Sequence, residues 1–370
     1  MNDFVVAATS SIREYSSLVC EHLLKFPSFA HLSDNVNGIG LTNTDRFADG
    51  EMEVSINQSV RGKDVYLFGS CARNEANLTV DEAKVELYHT VDVLNRSQAK
   101  SITLFEPFIT CSRSDRTTRR NSVGLWVHFK TLTGLGVKKI VTYQLHSKIS
   151  QSMLDPSICS LDDIHALNLL EKYLCDHYIR DVKTLVEEVR SRWAFCSVDA
   201  GGESHARDFT NAFGAQLVVA HKLRDYSKLN TVKSINILSA EPLENKVLWI
   251  VDDMIDTAGS VENLIRALAP HKPAEINLIA VHAPFSPPAA SRLNRLREEG
   301  LLNRIIVSDT VCPRSAVSAV NEKPLNTEVV PSAELSARIL RTLILNESMS
   351  DLMLSFNAER YLKSPELLNQ

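Results

Sequence analysis

The sequence predicts an α/β chain in which short buried strands are followed by helices, folded as two domains. Three observations lead there. Apolar runs rich in β-branched residues alternate with segments whose apolar residues recur at helical spacing. These strand–loop–helix units occur both before and after residue 160. The length, 370 residues, exceeds one ordinary domain and suits two. Strands that alternate with helices point to mainly parallel sheets flanked by helices.

Residues 4–8 (FVVAA) read as the first strand, and Ser10 and Ser11 cap a helix over 12–26 with Ile12, Tyr15, Val19, Leu23 and Phe26 as its apolar stripe. Residues 27–44 are polar and read as a loop. Residues 51–56 alternate like a half-buried strand, Arg61 and Gly62 make a turn, and 65–68 form another strand. The segment 46–51 (RFADGE) reads by itself as a polar turn with one aromatic. A polar loop at 71–81 precedes a helix over 82–97, and 102–108 is a strand. It leads into 109–122 (ITCSRSDRTTRRNS), with four arginines and Asp115 and no apolar period. Such a stretch is usually solvated, but at a strand C-terminus it lies where open α/β sheets bind ligands. A helix over 123–135 ends at Gly136, and 139–143 is a strand ending in Gln144-Leu145-His146. Alone, His146 reads as an ordinary strand-end histidine. Residues 148–163 are expected to be irregular.

Helices over 164–176 and 182–190 lead into the second half. Residues 194–198 are a strand, followed by Asp199-Ala200-Gly201-Gly202 and a helix. Glycines there allow a phosphate close to the backbone, though a tight turn capped by Asp199 explains them equally well. Residues 217–220 form a strand that ends in His221-Lys222-Leu223-Arg224, expected to open a loop with a small hairpin over 225–246. Residues 247–251 (VLWIV) are a buried strand with Asp252 and Asp253 at its end. Thr257, Ala258, Gly259 and Ser260 form a small-residue turn, with Ser260 expected to cap the next helix. Carboxylates that accept from ribose hydroxyls beside amides that bind phosphate suit a phosphorylated sugar. Residues 276–281 are a strand, 291–299 a basic helix, 305–307 an edge strand and 333–345 a last helix. Domains are expected at 1–160 and 161–354, with 355–370 as an additional tail.

Composition excludes several classes. The net charge of −5 argues against a general nucleic-acid binder. Seven scattered cysteines without a Cys-x-x-Cys pair fit a reducing cytosol rather than a disulfide framework or zinc site. The N-terminus lacks the cationic flank and apolar core of a signal peptide, and no apolar run spans a bilayer, so a cytoplasmic protein without a membrane partner is expected.

Residues 247–262 resemble the phosphoribosyl pyrophosphate (PRPP) motif shared by type I phosphoribosyltransferases and PRPP synthetases. Arg46-Phe47-Ala48-Asp49-Gly50-Glu51 and Ser59-Val60-Arg61-Gly62 are similar to segments of the PRPP synthetase (ribose-phosphate pyrophosphokinase) family, which transferases lack. So are Arg113-Ser114-Asp115-Arg116, Gln144-Leu145-His146, Val198-Asp199-Ala200-Gly201-Gly202 and Lys222-Leu223-Arg224. The resemblance covers residues 4–353 and implies two similar phosphoribosyltransferase-like (type I) domains. It implies Mg²⁺-dependent transfer of diphosphate from ATP to ribose 5-phosphate, giving PRPP and AMP. Phe47, Asp49, Glu51, Arg113, Asp115, Arg116 and His146 would hold ATP, and His146 and Asp199 the Mg²⁺. Asp252, Asp253, Asp256, Thr257, Ala258, Gly259 and Ser260 would hold ribose 5-phosphate, and Lys222 and Arg224 would be catalytic. Ser59 and Arg61 match an allosteric phosphate/ADP site, and the family's habit implies self-association into a hexamer or filament. Ser114, Gln144 and Val198 depart from the family's Gln, Asp and Pro. A PRPP-consuming transferase and a weakly catalytic regulatory or scaffold subunit are the alternatives.

Overall fold

Five strands make the first sheet of the computed structural model, which describes residues 3–72, 75–117, 119–199, 201–224, 232–311 and 324–364. They are β1 (Phe4–Ala8), β4 (Asp64–Phe68), β5 (Ser101–Phe105), β6 (Lys139–Tyr143) and β7 (Ser160–Ile164), all parallel and in the order β1-β4-β5-β6-β7. Two short strands, β2 (Thr42–Arg46) and β3 (Met52–Ile56), form a separate antiparallel hairpin. Helices α1 (Arg13–Leu24), α2 (Val80–Arg96) and α3 (Gly124–Leu135) belong to this half. Thr79 and Glu82 form a capping box at the start of α2, with the Thr79 hydroxyl accepting from the Glu82 amide and Glu82 accepting from the Thr79 amide. Val5, Leu67, Leu87, Leu104, Phe129 and Ile140 share one buried core.

Two expectations fail here. Residues 160–164 (SLDDI) form a strand rather than irregular chain, because main-chain pairing with β6 outweighs the poor strand propensity of two aspartates. Thr42, Asn43 and Thr44, expected within a loop, belong to β2 through pairing with β3.

The second sheet has the order β10-β9-β8-β11-β12-β13-β14. Its strands are β8 (Trp193–Ser197), β9 (Gln216–Arg224), β10 (Val232–Ser239), β11 (Val247–Met254), β12 (Glu275–His282), β13 (Ile305–Ser308) and β14 (Glu328–Val330). Only β9 and β10 pair antiparallel; the other pairs are parallel. Helices α4 (Leu167–Tyr178), α5 (Glu203–Phe213), α6 (Gly259–Leu268) and α7 (Ala289–Glu298) accompany it. Leu248, Ile250, Leu264, Ile265, Leu278 and Val307 lie in its core. β13 is flanked by β14 and is not the edge strand expected.

The strand order places β9 on one side of β8 and β11 on the other. The connections leaving β8 and β11 therefore diverge, which opens a crevice at their carboxyl ends where α/β sheets place ligands. Asp199 and Asp252 to Ser260 lie at that crevice.

The chain divides into two units. The first holds Met1–His165, Thr310–Cys312 and Pro331–Met353; the second holds Ala166–Asp309, Pro313–Val330 and Leu354–Gln370. Helix α8 (Ala333–Leu345), expected with the second half, thus belongs to the first. Tyr15 Oη lies 2.9 Å from Ser332 Oγ and 2.7 Å from Ser336 Oγ, fixing that helix to α1. The expected tail carries a short helix, α9 (Ala358–Lys363), within the second unit, where the Tyr361 hydroxyl donates to Asp176 at 2.7 Å. Residues 225–231, expected to begin the loop and hairpin after β9, lie outside the described residues.

Candidate active site

In the second unit, β11 runs three residues past its apolar core to Met254, so Asp252 and Asp253 lie within the strand rather than follow it. Pairing with β8 ends at Val251, while Asp252 pairs with Ala280 on β12. The Asp252 carboxylate folds back and accepts from the Asp253 amide at 3.0 Å. Asp253 is 4% exposed. Burial first, then the Asp253 and Asp199 carboxylates, push the Asp252 carboxyl well above the usual range. Asp199 turns the chain after β8 by accepting from the Gly201 and Gly202 amides at 3.0 and 3.2 Å. Its role as a turn cap therefore holds whatever else it binds.

The helix cap differs from expectation. Ala258, at φ 58°, is the residue before α6, and Ser260 lies inside the first turn. That places the Gly259 and Ser260 amides at the open end of the helix, where they suit an anion. Arg292 on α7 donates to the Thr257 carbonyl at 2.9 Å and pairs with Glu262 at 3.5 Å. A Cβ on Gly259 would stand 3.1 Å from the Arg292 guanidinium, so the glycine keeps that arginine against the loop. Asp256 lies at the start of this loop.

Lys222 and Arg224 fall within β9, not in a loop beyond it. Their side chains lie outside the described residues.

In the first unit, Phe47 to Glu51 form the β2–β3 turn. The Phe47 amide donates to the Glu51 carbonyl at 2.9 Å, Asp49 accepts from the Glu51 amide at 3.0 Å, and Gly50 takes φ 92°. Phe47 stands 54% exposed at the tip, leaving its ring face open to a stacking partner. Ser59 and Arg61 occupy an exposed turn in which the Arg61 guanidinium donates to Gln98.

The loop after β5 carries Arg113, Asp115 and Arg116. Ser114 supports the local structure, since its hydroxyl accepts from the Gly124 amide at 2.9 Å, at the start of α3. The Arg116 side chain is 82% exposed. Beneath the loop runs a buried polar chain. His128 Nε2 lies 2.9 Å from Glu106 Oε2, and His128 Nδ1 lies 2.9 Å from Tyr88 Oη. Burial, then the Glu106 carboxylate, push the Cys71 thiol well above its ordinary value.

His146 is exposed at the end of β6. Gln144 before it is 3% exposed and takes φ 43°. The Leu145 amide between them donates to Asp163 on β7 at 2.9 Å. A carboxylate thus serves this turn from the neighbouring strand although position 144 is an amide.

The sequence reading missed Asp163, Arg292 and His205. His205 is the third residue of α5, and one nitrogen of its ring lies within 4.8 Å of oxygens of both Asp252 and Asp253. Its place in the first turn after two glycines was the available signal. His205, Asp252 and Asp253 thus offer three ligand atoms to a divalent cation.

Residues 4–136 match the family model for the N-terminal domain of ribose phosphate pyrophosphokinase. Residues 174–294 match that for the phosphoribosyl transferase domain. A ribose-phosphate pyrophosphokinase of Fusobacterium nucleatum is 30% identical over 274 residues, covering 74% of this chain and 79% of the relative. One from Helicobacter pylori is 28% identical over 353 residues, covering 95% and 96%. The crystal structure of phosphoribosylpyrophosphate synthetase from Mycobacterium smegmatis has the same fold, with a TM-score of 0.75 and 24% identity over 93% of this chain and 99% of that one. Among the described residues no helix is long and apolar enough to cross a membrane.

Proposed function

The chain belongs to the ribose-phosphate pyrophosphokinase family, and from that premise we propose that it transfers the β,γ-diphosphoryl group of ATP to the C1 hydroxyl of ribose 5-phosphate, giving PRPP and AMP. The observation that carries this reading over a PRPP-consuming transferase is the match of residues 4–136 to the family's N-terminal domain.

Phosphoryl transfer of this kind depends on positioning and on stabilising charge at the phosphoryl oxygens. In the second unit, the backbone amides at Gly259 and Ser260, with the Thr257 and Ser260 hydroxyls, are the proposed donors to the 5-phosphate. Asp256 would accept at the edge of that loop and Ala258 would set its curvature. Asp252 and Asp253 would accept from ribose hydroxyls and orient the attacking oxygen. Lys222 and Arg224 would stabilise the charge that develops on the transferred group. In the first unit, Phe47 would stack on adenine while Asp49 and Glu51 accept from its amine. Arg113 and Arg116 would pair with phosphate oxygens, with Asp115 orienting them. Mg²⁺, for which His146 and Asp199 are the proposed ligands, supplies charge neutralisation on the ATP phosphates when bound.

The purified chain with Mg²⁺, ATP and ribose 5-phosphate should release AMP and PRPP in equal amounts. No AMP at any Mg²⁺ concentration would sink the assignment and leave a non-catalytic subunit. We also place the protein in the cytoplasm as a hexamer or filament, with Ser59 and Arg61 at a phosphate- or ADP-responsive contact. A mass measurement with and without phosphate tests the last point.

A further inference from the structure

We propose that Glu86 is a positioning residue for the Phe47–Glu51 turn, a role that rests on the reading of this turn as the holder of adenine. Through Thr44, and with Glu82 acting through Arg46, it sets where the turn stands and so how tightly the base end of ATP is held.

The β2–β3 hairpin is a two-stranded sheet of its own, so no strand ladder among the described residues ties it to the five-stranded sheet. A lone hairpin is marginal in water. Met52 and Val54 of β3 are buried, but apolar packing is non-directional and does not fix the hairpin's register along α2. The directional bonds come from alternate residues of β2, which share one face of the strand. The Thr42 hydroxyl donates to the Ala8 carbonyl, at the end of β1, at 3.0 Å. The Thr44 hydroxyl donates to Glu86 Oε1 at 2.8 Å. The Arg46 guanidinium donates to Glu82 Oε1 at 2.8 Å and to the Gly50 carbonyl, inside the turn itself, at 3.1 Å. Glu82 and Glu86 lie one turn apart on α2, so one helix face carries both carboxylates.

Glu86 is the firmer anchor of the two. It is 0% exposed, whereas the Glu82 side chain is 39% exposed and solvent weakens its pair with Arg46. Glu86 also accepts from the Ser10 amide at 3.0 Å and from the Ser10 hydroxyl at 2.9 Å, just beyond β1. One buried carboxylate thus joins the end of β1, α2 and β2 through charge-assisted bonds, which are short and directional. A buried carboxylate is a poor source of stability; what a satisfied network of this kind supplies is one defined geometry.

The test is titration calorimetry of the full-length protein with Mg²⁺, comparing ATP with inorganic tripolyphosphate, which lacks base and ribose. Thr44→Val should weaken ATP ~3–10-fold and Glu86→Leu ~10-fold or more, the scale of one and of several lost hydrogen bonds. Glu86→Gln keeps an acceptor for Thr44 and should stay within ~3-fold of wild type. Tripolyphosphate affinity should be the same in all of them, which a general loosening of the fold would not allow. Equal losses for ATP and tripolyphosphate, or an ATP affinity unchanged in Thr44→Val and Glu86→Leu, would overturn the proposal. Phe47→Ala tells its failure from that of the underlying reading. If Phe47→Ala weakens ATP while Thr44→Val and Glu86→Leu do not, the proposal alone fails; if Phe47→Ala also leaves ATP unchanged, the adenine reading fails and takes the proposal with it. Should Glu86→Leu not fold, Thr44→Val, at a half-buried position of β2, decides by itself.

Discussion

The amide of Leu145 donates to the carboxylate of Asp163 across the β6–β7 boundary at 2.9 Å. Burial raises the Asp163 carboxyl, while the Leu145 bond opposes that rise. This bond holds a turn whose first residue, Gln144, takes a left-handed conformation that side chains disfavour. Asp163→Ala should therefore cost about 1–3 kcal/mol, the scale of a buried donor left unpaired. Asp163→Asn retains an acceptor and should cost less than half as much. Urea unfolding measures both; equal losses would show that the Leu145 bond is not what matters. If His146 is a metal ligand, Asp163→Ala should also raise the Mg²⁺ concentration needed for half-maximal AMP release.

Glu106 and His128 are both fully buried and 2.9 Å apart. Removing one partner leaves the other without its bond inside the core. Glu106→Ala is expected to lose about 3–5 kcal/mol, whereas Glu106→Leu with His128→Leu should recover most of it. Denaturation midpoints with unchanged slope would establish this, and a double variant no better than the single would contradict it.

Burial, then the neighbouring Asp208 carboxylate, push Glu171 up from 4.5 to about 8. The folded state keeps its proton where the unfolded chain has lost it. Stability from this group is full below pH 4.5 and declines as pH rises to 8. Glu171→Gln should remove that slope, gaining roughly 2–5 kcal/mol on wild type at the alkaline end. Thermal unfolding at several pH values reads it, and parallel curves for the two proteins would count against a raised Glu171.

Arg292 bonds the Thr257 carbonyl beside the proposed phosphate loop. Arg292→Ala should raise KM for ribose 5-phosphate by about 10-fold, the scale of one charge-assisted bond, while kcat changes little. A kcat loss with unchanged KM would place Arg292 in the chemical step instead.

Lys222→Ala should lower kcat by at least ~100-fold, as expected when a transition-state charge partner is lost. Steady-state AMP release decides this, and near-normal turnover would remove Lys222 from the catalytic assignment.

Strands buried on both faces were the most legible elements. Residues 247–251 announce β11 because every one is apolar, and β6 (KIVTY) is read to its ends from its β-branched and aromatic residues. β7 was hidden because Asp162 and Asp163 lower its apolar content and only pairing reveals it. The acidic pair at 252–253 was visible from its place after an apolar run. His205 was not, because its place after two glycines marks a helix start but not the acidic pair that the fold brings near it. The position of the cap before α6 depends on a left-handed Ala258 that no propensity favours. Ser114 illustrates the converse, because the bond its hydroxyl makes at α3 is set by a loop geometry that sequence does not display.

The hydroxyl cluster of Tyr15, Ser332 and Ser336 joins residues more than three hundred positions apart. During synthesis the first unit must therefore wait for α8. At roughly 5–20 residues per second, its first 165 residues leave the ribosome well before α8 exists to cover Tyr15. Until then that face of α1 is bare, and a nascent chain stalled before residue 331 should be cut by protease near Tyr15 where the finished protein is not. The unit begun first thus stays open until most of the second has been made.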